Sequence, residues 1–109
     1  MRPIHFTRPA KGSYKVCIHD LSGAGVTYHN VSVNANNSDF DAVMFTTTNR
    51  SIPEKMRTSM LCRADIASIR NLANTIACHK EVHFIKLDGD EAKAISGLLH
   101  TVANSLSEE

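Results

Sequence analysis

Residues 61–77 read LCRADIASIRNLANTIA, and residues 87–103 read LDGDEAKAISGLLHTVA. Laid over each other, Leu61, Asp65, Ile69, Leu72, Ile76 and Ala77 recur 26 residues later as Leu87, Glu91, Ile95, Leu98, Val102 and Ala103. In both copies the apolar residues fall three and four apart, the period of a helix with one buried face. A short apolar segment precedes each helix, so the tandem spells β-α-β-α. The expected helices cover 63–77 and 89–106, with a strong strand at 82–87 between them and a weaker one at 58–61 before them. Ile66, Ile69, Leu72, Ala73 and Ile76 line the first helix; Ala92, Ile95, Leu98, Leu99, Val102 and Leu106 line the second. Asp88 stands at the N-cap of the second, with Asp90 and Glu91 in its first turn, where the helix dipole favours acids.

Upstream the period changes to two. Tyr14, Val16 and Ile18 alternate with Lys15, Cys17 and His19, the pattern of a half-buried strand. The Gly23-Ala24-Gly25 turn leads into a strand at 26–33. Val26 and Tyr28 point one way there and Val31 and Val33 the other, which predicts a bulge near His29-Asn30. Residues 34–38 are a loop by composition. A third strand at 40–47 carries apolar residues on both faces, as a central, doubly covered strand would. Ser51-Ile52-Pro53-Glu54 has a capping signature and predicts a short helical turn. A single helix across 52–77 is the competing reading, disfavoured because the apolar stripe does not run back through Arg57, Thr58 and Ser59.

The fold class that follows is α+β, one small domain over residues 1–109: a basic N-terminal arm at 1–13, with a short edge strand at 4–7, an antiparallel β-meander at 14–47 and a β-α-β-α half at 58–106. The expected sheet is mixed, with two amphipathic helices. If both helices share one face, the other face needs a partner, and a homodimer is the economical solution.

Composition narrows function mainly by exclusion. The formal net charge is +1, whereas a DNA mimic would be strongly acidic and a general nucleic-acid binder strongly basic. The charge is uneven: residues 1–63 hold eight Lys/Arg against four Asp/Glu, a net +4, and residues 64–109 hold four against seven, a net −3. Three cysteines without paired spacing read as reduced thiols. Met1-Arg2-Pro3-Ile4-His5 leads into no apolar segment of a secretory leader, and no apolar run has membrane-spanning length. The expectation is a soluble cytoplasmic protein with no membrane association.

Cys78, His79 and His83 are the best metal candidates, with Cys17 and His19 a second pair. Their spacing matches no zinc finger or ribbon, and His79 is explained by the helix C-terminal dipole, so no metal is expected. Cys62, placed at a helix start, is the one candidate reactive thiol. Gly23-Ala24-Gly25 lies between two strands and lacks the helix N-terminus of a phosphate loop. Asp39-x-Asp41 and Asp88-x-Asp90-Glu91 extend to no calcium loop. No cofactor is expected, and six histidines without an arrangement give no catalytic mechanism.

The expected function is a non-catalytic protein-binding module. Small motif-free chains of this kind include inhibitors that phages and mobile elements direct at host defence complexes, anti-CRISPR proteins among them. Near-neutral charge points to blocking an interface rather than imitating DNA. The expected partner-binding residues lie in the 48–57 loop: Asn49, Arg50, Lys55 and Arg57 for polar contacts, Ile52 and Met56 as apolar anchors. The alternative is a nucleic-acid-associated regulator that uses the basic N-terminal half, where Arg2, Arg8, Lys11 and Lys15 join Arg50, Lys55, Arg57 and Arg63.

Overall fold

Strong alternation early in the chain produces the sheet. The computed structural model describes residues 4–10, 13–22, 25–34, 41–83 and 85–107. Strands β1 (Ile4–Ala10), β2 (Ser13–Ser22), β3 (Gly25–Asn34), β4 (Ala42–Thr47) and β5 (Thr58–Arg63) pair in chain order as one five-stranded antiparallel sheet. The basic arm thus supplies edge strand β1, paired with β2 from Ile4↔Ile18 onward. β2 and β3 pair without a shift from Ser13↔Asn34 to Ser22↔Gly25, and Gly25 holds φ +129, a conformation open to glycine. Alternation sends Val16 and Ile18, Val31 and Val33, and Val43 and Phe45 to one face, where all are buried.

The bulge expected near His29-Asn30 is absent: β3 keeps an unbroken register with both neighbours. The phase slip is only apparent. His29 occupies the core-facing position in step with Val31 and Val33, whereas Val26 and Tyr28 belong to the opposite face and are exposed. In β4, too, only one face meets the helices. Val43, Phe45 and Thr47 face the core; on the other side Ala42 is buried and Met44 and Thr46 are half-buried. A doubly covered position is therefore not what β4 has. Phe40 and residues 35–39 lie outside the described residues.

Two helices close the core. The first, α1 (Ile66–His79), begins three residues later than the expected position 63. Asp65 is its N-cap, its carboxylate accepting from the Ser68 N–H at 2.9 Å, and the residues before it are drawn into β5. Lys80 ends α1 in the left-handed region (φ 53), its N–H donating to the Ile76 carbonyl at 2.8 Å. The second, α2 (Gly89–Ser107), opens on a reciprocal capping box. Asp88 Oδ1 accepts from the Glu91 N–H at 2.7 Å, and Glu91 Oε1 accepts from the Asp88 N–H at 2.9 Å. The buried stripe Ile69, Ala73, Ile76 of α1 recurs 26 residues on as Ile95, Leu99, Val102 of α2. The packing face carries the repeat, while α2 starts only 23 residues after α1 and so has an extra turn at its N-terminus.

Both stripes join the apolar face of the sheet in a single core. The helices therefore share one face. They run antiparallel, since Arg70 near the start of α1 donates to Asn104 Oδ1 near the end of α2 at 3.1 Å. The Tyr14 hydroxyl on β2 reaches Ser105 Oγ at 3.5 Å and ties α2 to the sheet. Each large side chain removed from water here contributes on the order of 1.5–3 kcal/mol. Among the described residues, no helix packs on the opposite face of the sheet.

The α+β architecture stands, but the expected strand at 82–87 and the mixed sheet resolve differently. After α1 the chain makes a hairpin, β6 (Glu81–Val82) with β7 (Ile85–Lys86), which forms a second antiparallel sheet of its own. Left-handed Lys80 (φ 53) and His83 (φ 57) turn the chain back, and the Leu87 N–H closes the unit on the Lys80 carbonyl at 2.8 Å. Local pairing needs only a short loop to close, so it costs less than crossing to the main sheet. Val82, Ile85 and Leu87 still reach the core from the hairpin. The continuous helix over 52–77 does not occur, because β5 occupies its middle. The expected short turn is a 3₁₀ turn at Glu54–Met56, with Pro53 as N-cap and no side-chain cap bond. Ser51 does not cap it: the Ser51 N–H is taken one step earlier by Asn49 Oδ1 at 2.9 Å.

Candidate binding surface

The 48–57 loop is held by its own backbone. At its base the Thr47 N–H donates to the Arg57 carbonyl at 2.9 Å, and the Thr48 N–H to the Tyr28 carbonyl at 3.0 Å. The Tyr28 N–H returns a bond to Thr48 Oγ1 at 2.9 Å. Asn49 makes the Asx turn to Ser51, and the Ile52 N–H donates to the Asn49 carbonyl at 3.2 Å. Arg57 is spent inside the loop: its Nε donates to the Ile52 carbonyl at 2.8 Å and its Nη2 to the Arg50 carbonyl at 3.4 Å.

The six candidate residues thus divide. Arg57 is half-buried and acts as the loop's internal brace, and Ile52 is half-buried. Arg50, Lys55 and Met56 are exposed, Met56 at 58%. Asn49 and Arg50 line a cleft of about 480 Å³ whose walls are residues 48–51 and, opposite, residues 25–27 at the start of β3. Sequence spacing gives no hint of this juxtaposition, because it is the β3–β4 pairing, continued by the Tyr28–Thr48 bonds, that brings the start of β3 to the loop.

Beside the cleft lies the helix-free face of the sheet. His5, His19 and Tyr28, on β1, β2 and β3, form a row of rings with centroids 4.5 Å and 4.8 Å apart. Val26, Tyr28 and Met60 are 46%, 38% and 60% exposed, and Met60 pairs with Met44 across β4 and β5. Cys17 also faces this side, and partial burial raises its thiol above the usual range, against a lowering by Lys15.

A buried polar cluster sits on the core side of the same strands. His29 Nδ1 is 2.9 Å from Thr47 Oγ1, and His29 Nε2 is 3.4 Å from Asp20 Oδ2. The tautomer protonated on Nε2 satisfies both contacts, with the Thr47 hydroxyl donating to Nδ1. The order Asp-His-Thr is that of an activated nucleophile. Thr47 is only 6% exposed, however, and its oxygen already accepts from the Asn49 N–H at 3.1 Å. The cluster clasps β2, β3 and β4 and fixes Asn49, the second residue of the loop; it offers no hydroxyl to a substrate. The phase of His29 with Val31 and Val33 was the one sequence signal for it.

The other candidates separate. Cys62 lies in β5 rather than at a helix start, and burial, then the Asp65 carboxylate, pushes its thiol up. It is not an activated nucleophile. Cys78 and His79 are exposed in the last turn of α1, whereas His83 rests against Phe45 with ring centroids 5.0 Å apart. Among the described residues, no three His, Cys, Asp or Glu side chains converge as metal ligands would. Of the basic residues, Lys15 and Arg63 are exposed; Arg2, Lys11 and the side chain of Arg8 lie outside the described residues, as do Gly23, Ala24 and Asp39. No described helix is long and apolar enough to cross a membrane. No protein-family model, curated protein or solved structure matches the chain.

Proposed function

We propose that this protein is a non-catalytic protein-binding module that engages its partner through the 48–57 loop and the cleft beside it. The observation that carries this reading is the internal bracing of the loop. Arg57 and Asn49 hold its backbone from within, while Arg50, Lys55 and Met56 stay exposed at its surface. A preorganised loop loses little conformational entropy on binding, so its contacts convert to affinity efficiently. Met56 supplies an adaptable apolar anchor, and the two cations suit a partner surface bearing carboxylates.

Size, lack of a site motif and near-neutral charge favour an inhibitor that blocks an interface. The class we assign is that of the small proteins with which phages and mobile elements obstruct host defence complexes, anti-CRISPR proteins among them. A photo-crosslinking amino acid at position 56, compared with the same group at exposed Lys93 on α2, tests the surface. One protein adduct from position 56, lost on Arg50→Glu with Lys55→Glu, is the expected result. Adducts from position 93 alone would move the interface to the helices.

A further inference from the structure

We infer that the partner adds a strand to the sheet, which rests on the protein-binding reading and specifies how the cleft is used. An extended peptide segment of the partner lies in the cleft antiparallel to β3 and exchanges main-chain hydrogen bonds with Val26. β3 outruns its neighbour there. It begins at Gly25, whereas its pairing with β4 stops at His29↔Thr47 and one further step, the Thr48 N–H on the Tyr28 carbonyl. Continued in register, the ladder would set Arg50 opposite Val26. Instead the Asn49 carbonyl accepts from the Ile52 N–H, and the chain turns away. The cleft of about 480 Å³ opens where the ladder stops, with residues 25–27 on one wall and residues 48–51 on the other.

The alternation of an antiparallel ladder fixes where the open groups point. The N–H and carbonyl of one residue face one neighbour, and those of the next residue face the other. Tyr28 directs both toward Thr48, on the β4 side. Two residues along, Val26 directs both the same way, into the cleft and away from Leu21, its neighbour on β2. Among the described residues nothing pairs with them. Open ladder positions are a template for another chain, and proteins usually blunt them. Both outer strands are blunted: β1 carries Pro9 and an irregular register against β2, and β5 has an irregular register against β4. Gly25, Val26 and Thr27 carry no charge, proline or bulge.

Side chains set the chemistry of the segment. A peptide residue opposite Val26 places its side chain on the helix-free face, against Val26 at 46% exposure and diagonally toward Tyr28 at 38%. An aromatic or β-branched residue fits that position, since it packs on both and favours the extended chain. The wall at 48–51 stands where the rest of a second sheet would lie, so the cleft takes one extended segment rather than the edge of another copy.

Panning a library of short displayed peptides against the unmodified protein tests this, with amide hydrogen exchange followed by NMR as the readout. The Val26 N–H should exchange fast in the protein alone and slow down when an enriched peptide is added. Val26→Pro deletes the donor without breaking a bond to β2, and should weaken those peptides roughly tenfold or more. Lys93→Glu on α2 should not. The exchange measurement needs no variant, so a folding defect in Val26→Pro cannot obscure it. Strand addition is overturned if no peptide is enriched, if enriched peptides leave Val26 exchange unchanged, or if Val26 already exchanges slowly in the protein alone, as a dimer through this edge would require. A partner that crosslinks to position 56 and leaves Val26 unprotected would also overturn it while the loop reading stands. Protection of Val26 by a peptide, with no adduct from position 56, would keep the added strand and remove the loop.

Discussion

His29 Nδ1 lies 2.9 Å from Thr47 Oγ1, and the two residues are direct cross-strand partners in β3 and β4. Both are buried, so neither polar atom can turn to water for compensation. Thr47→Val keeps the shape but strands the imidazole nitrogen and the Asn49 N–H. The expected loss is about 1–3 kcal/mol, the penalty of a buried unsatisfied polar group. His29→Leu with Thr47→Val removes both sides of the bond, so the double variant should lose less than the two single losses added together. Denaturant unfolding of the four proteins in this cycle measures the coupling; simple additivity would show that the two residues do not depend on each other.

Ile69 and Ile95 are both 0% exposed and occupy equivalent places in the two helix stripes. Truncation to alanine at either should cost about 2–5 kcal/mol, as large-to-small changes in a packed core do. Equilibrium unfolding reads this directly. A loss below about 0.5 kcal/mol at either site would mean that helix buries another face.

These stripes were also the most legible part of the chain. Ile69, Ile76, Ile95 and Val102 announced themselves through a period set by backbone geometry alone, as did Val16 and Ile18 through the period of two. What stayed hidden depended on tertiary pairing. His29 broke an apolar pattern and read as a bulge, because nothing local reveals that Thr47 and Asp20 will satisfy its ring. The 82–87 strand read as sheet from its apolar residues, but its partner was decided by left-handed Lys80 and His83, which carry no glycine signal. In the 48–57 loop the exposure of Arg50 and Lys55 is readable from their charge, and that of Met56 only from its polar neighbours. The internal role of Arg57 was not, since a cation looks the same in sequence whether it faces a partner or its own carbonyls.

Asp65 should make the stability of α1 sensitive to acid. Bonds from the Ser68 N–H and then the Ser68 hydroxyl lower its carboxyl below the ordinary 3.8. A lowered folded-state value stabilises above the unfolded-state value, and that contribution disappears as pH falls through the folded one. Asp65→Asn keeps a capping side chain but abolishes this titration. The stability difference between the native protein and the variant should therefore be constant near neutral pH and shrink below pH 3.8. Unfolding curves across that range check the sign; a difference that grew on acidification would contradict the cap.

The three thiols should react in a set order. Cys78 is exposed on the last turn of α1, while Cys17 and Cys62 are partly covered and held above the usual thiol range by burial. Since the thiolate is the nucleophile, iodoacetamide at neutral pH should label Cys78 first. Peptide mass spectrometry over a time course reads the order. Cys62 labelling as fast as Cys78 would mean that β5 opens readily at that position.

Charge reversal in the 48–57 loop separates fold from function only if the right cations are chosen. Arg57→Glu removes the donors to the Ile52 and Arg50 carbonyls and places a carboxylate against them. It should cost about 1–3 kcal/mol and loosen the loop, which would weaken partner binding for a trivial reason. Arg50→Glu with Lys55→Glu changes two exposed side chains instead, and such surface changes usually stay within about 0.5 kcal/mol each. If the loop is the partner surface, this pair should leave the unfolding curve unchanged and weaken the crosslinked partner by several kcal/mol, as like charges across an interface do. Met56→Ala should add to the loss, with little change in its salt dependence. Isothermal titration with the partner identified from position 56 measures both effects. Unaltered affinity in the Arg50→Glu, Lys55→Glu protein would take the loop out of the interface.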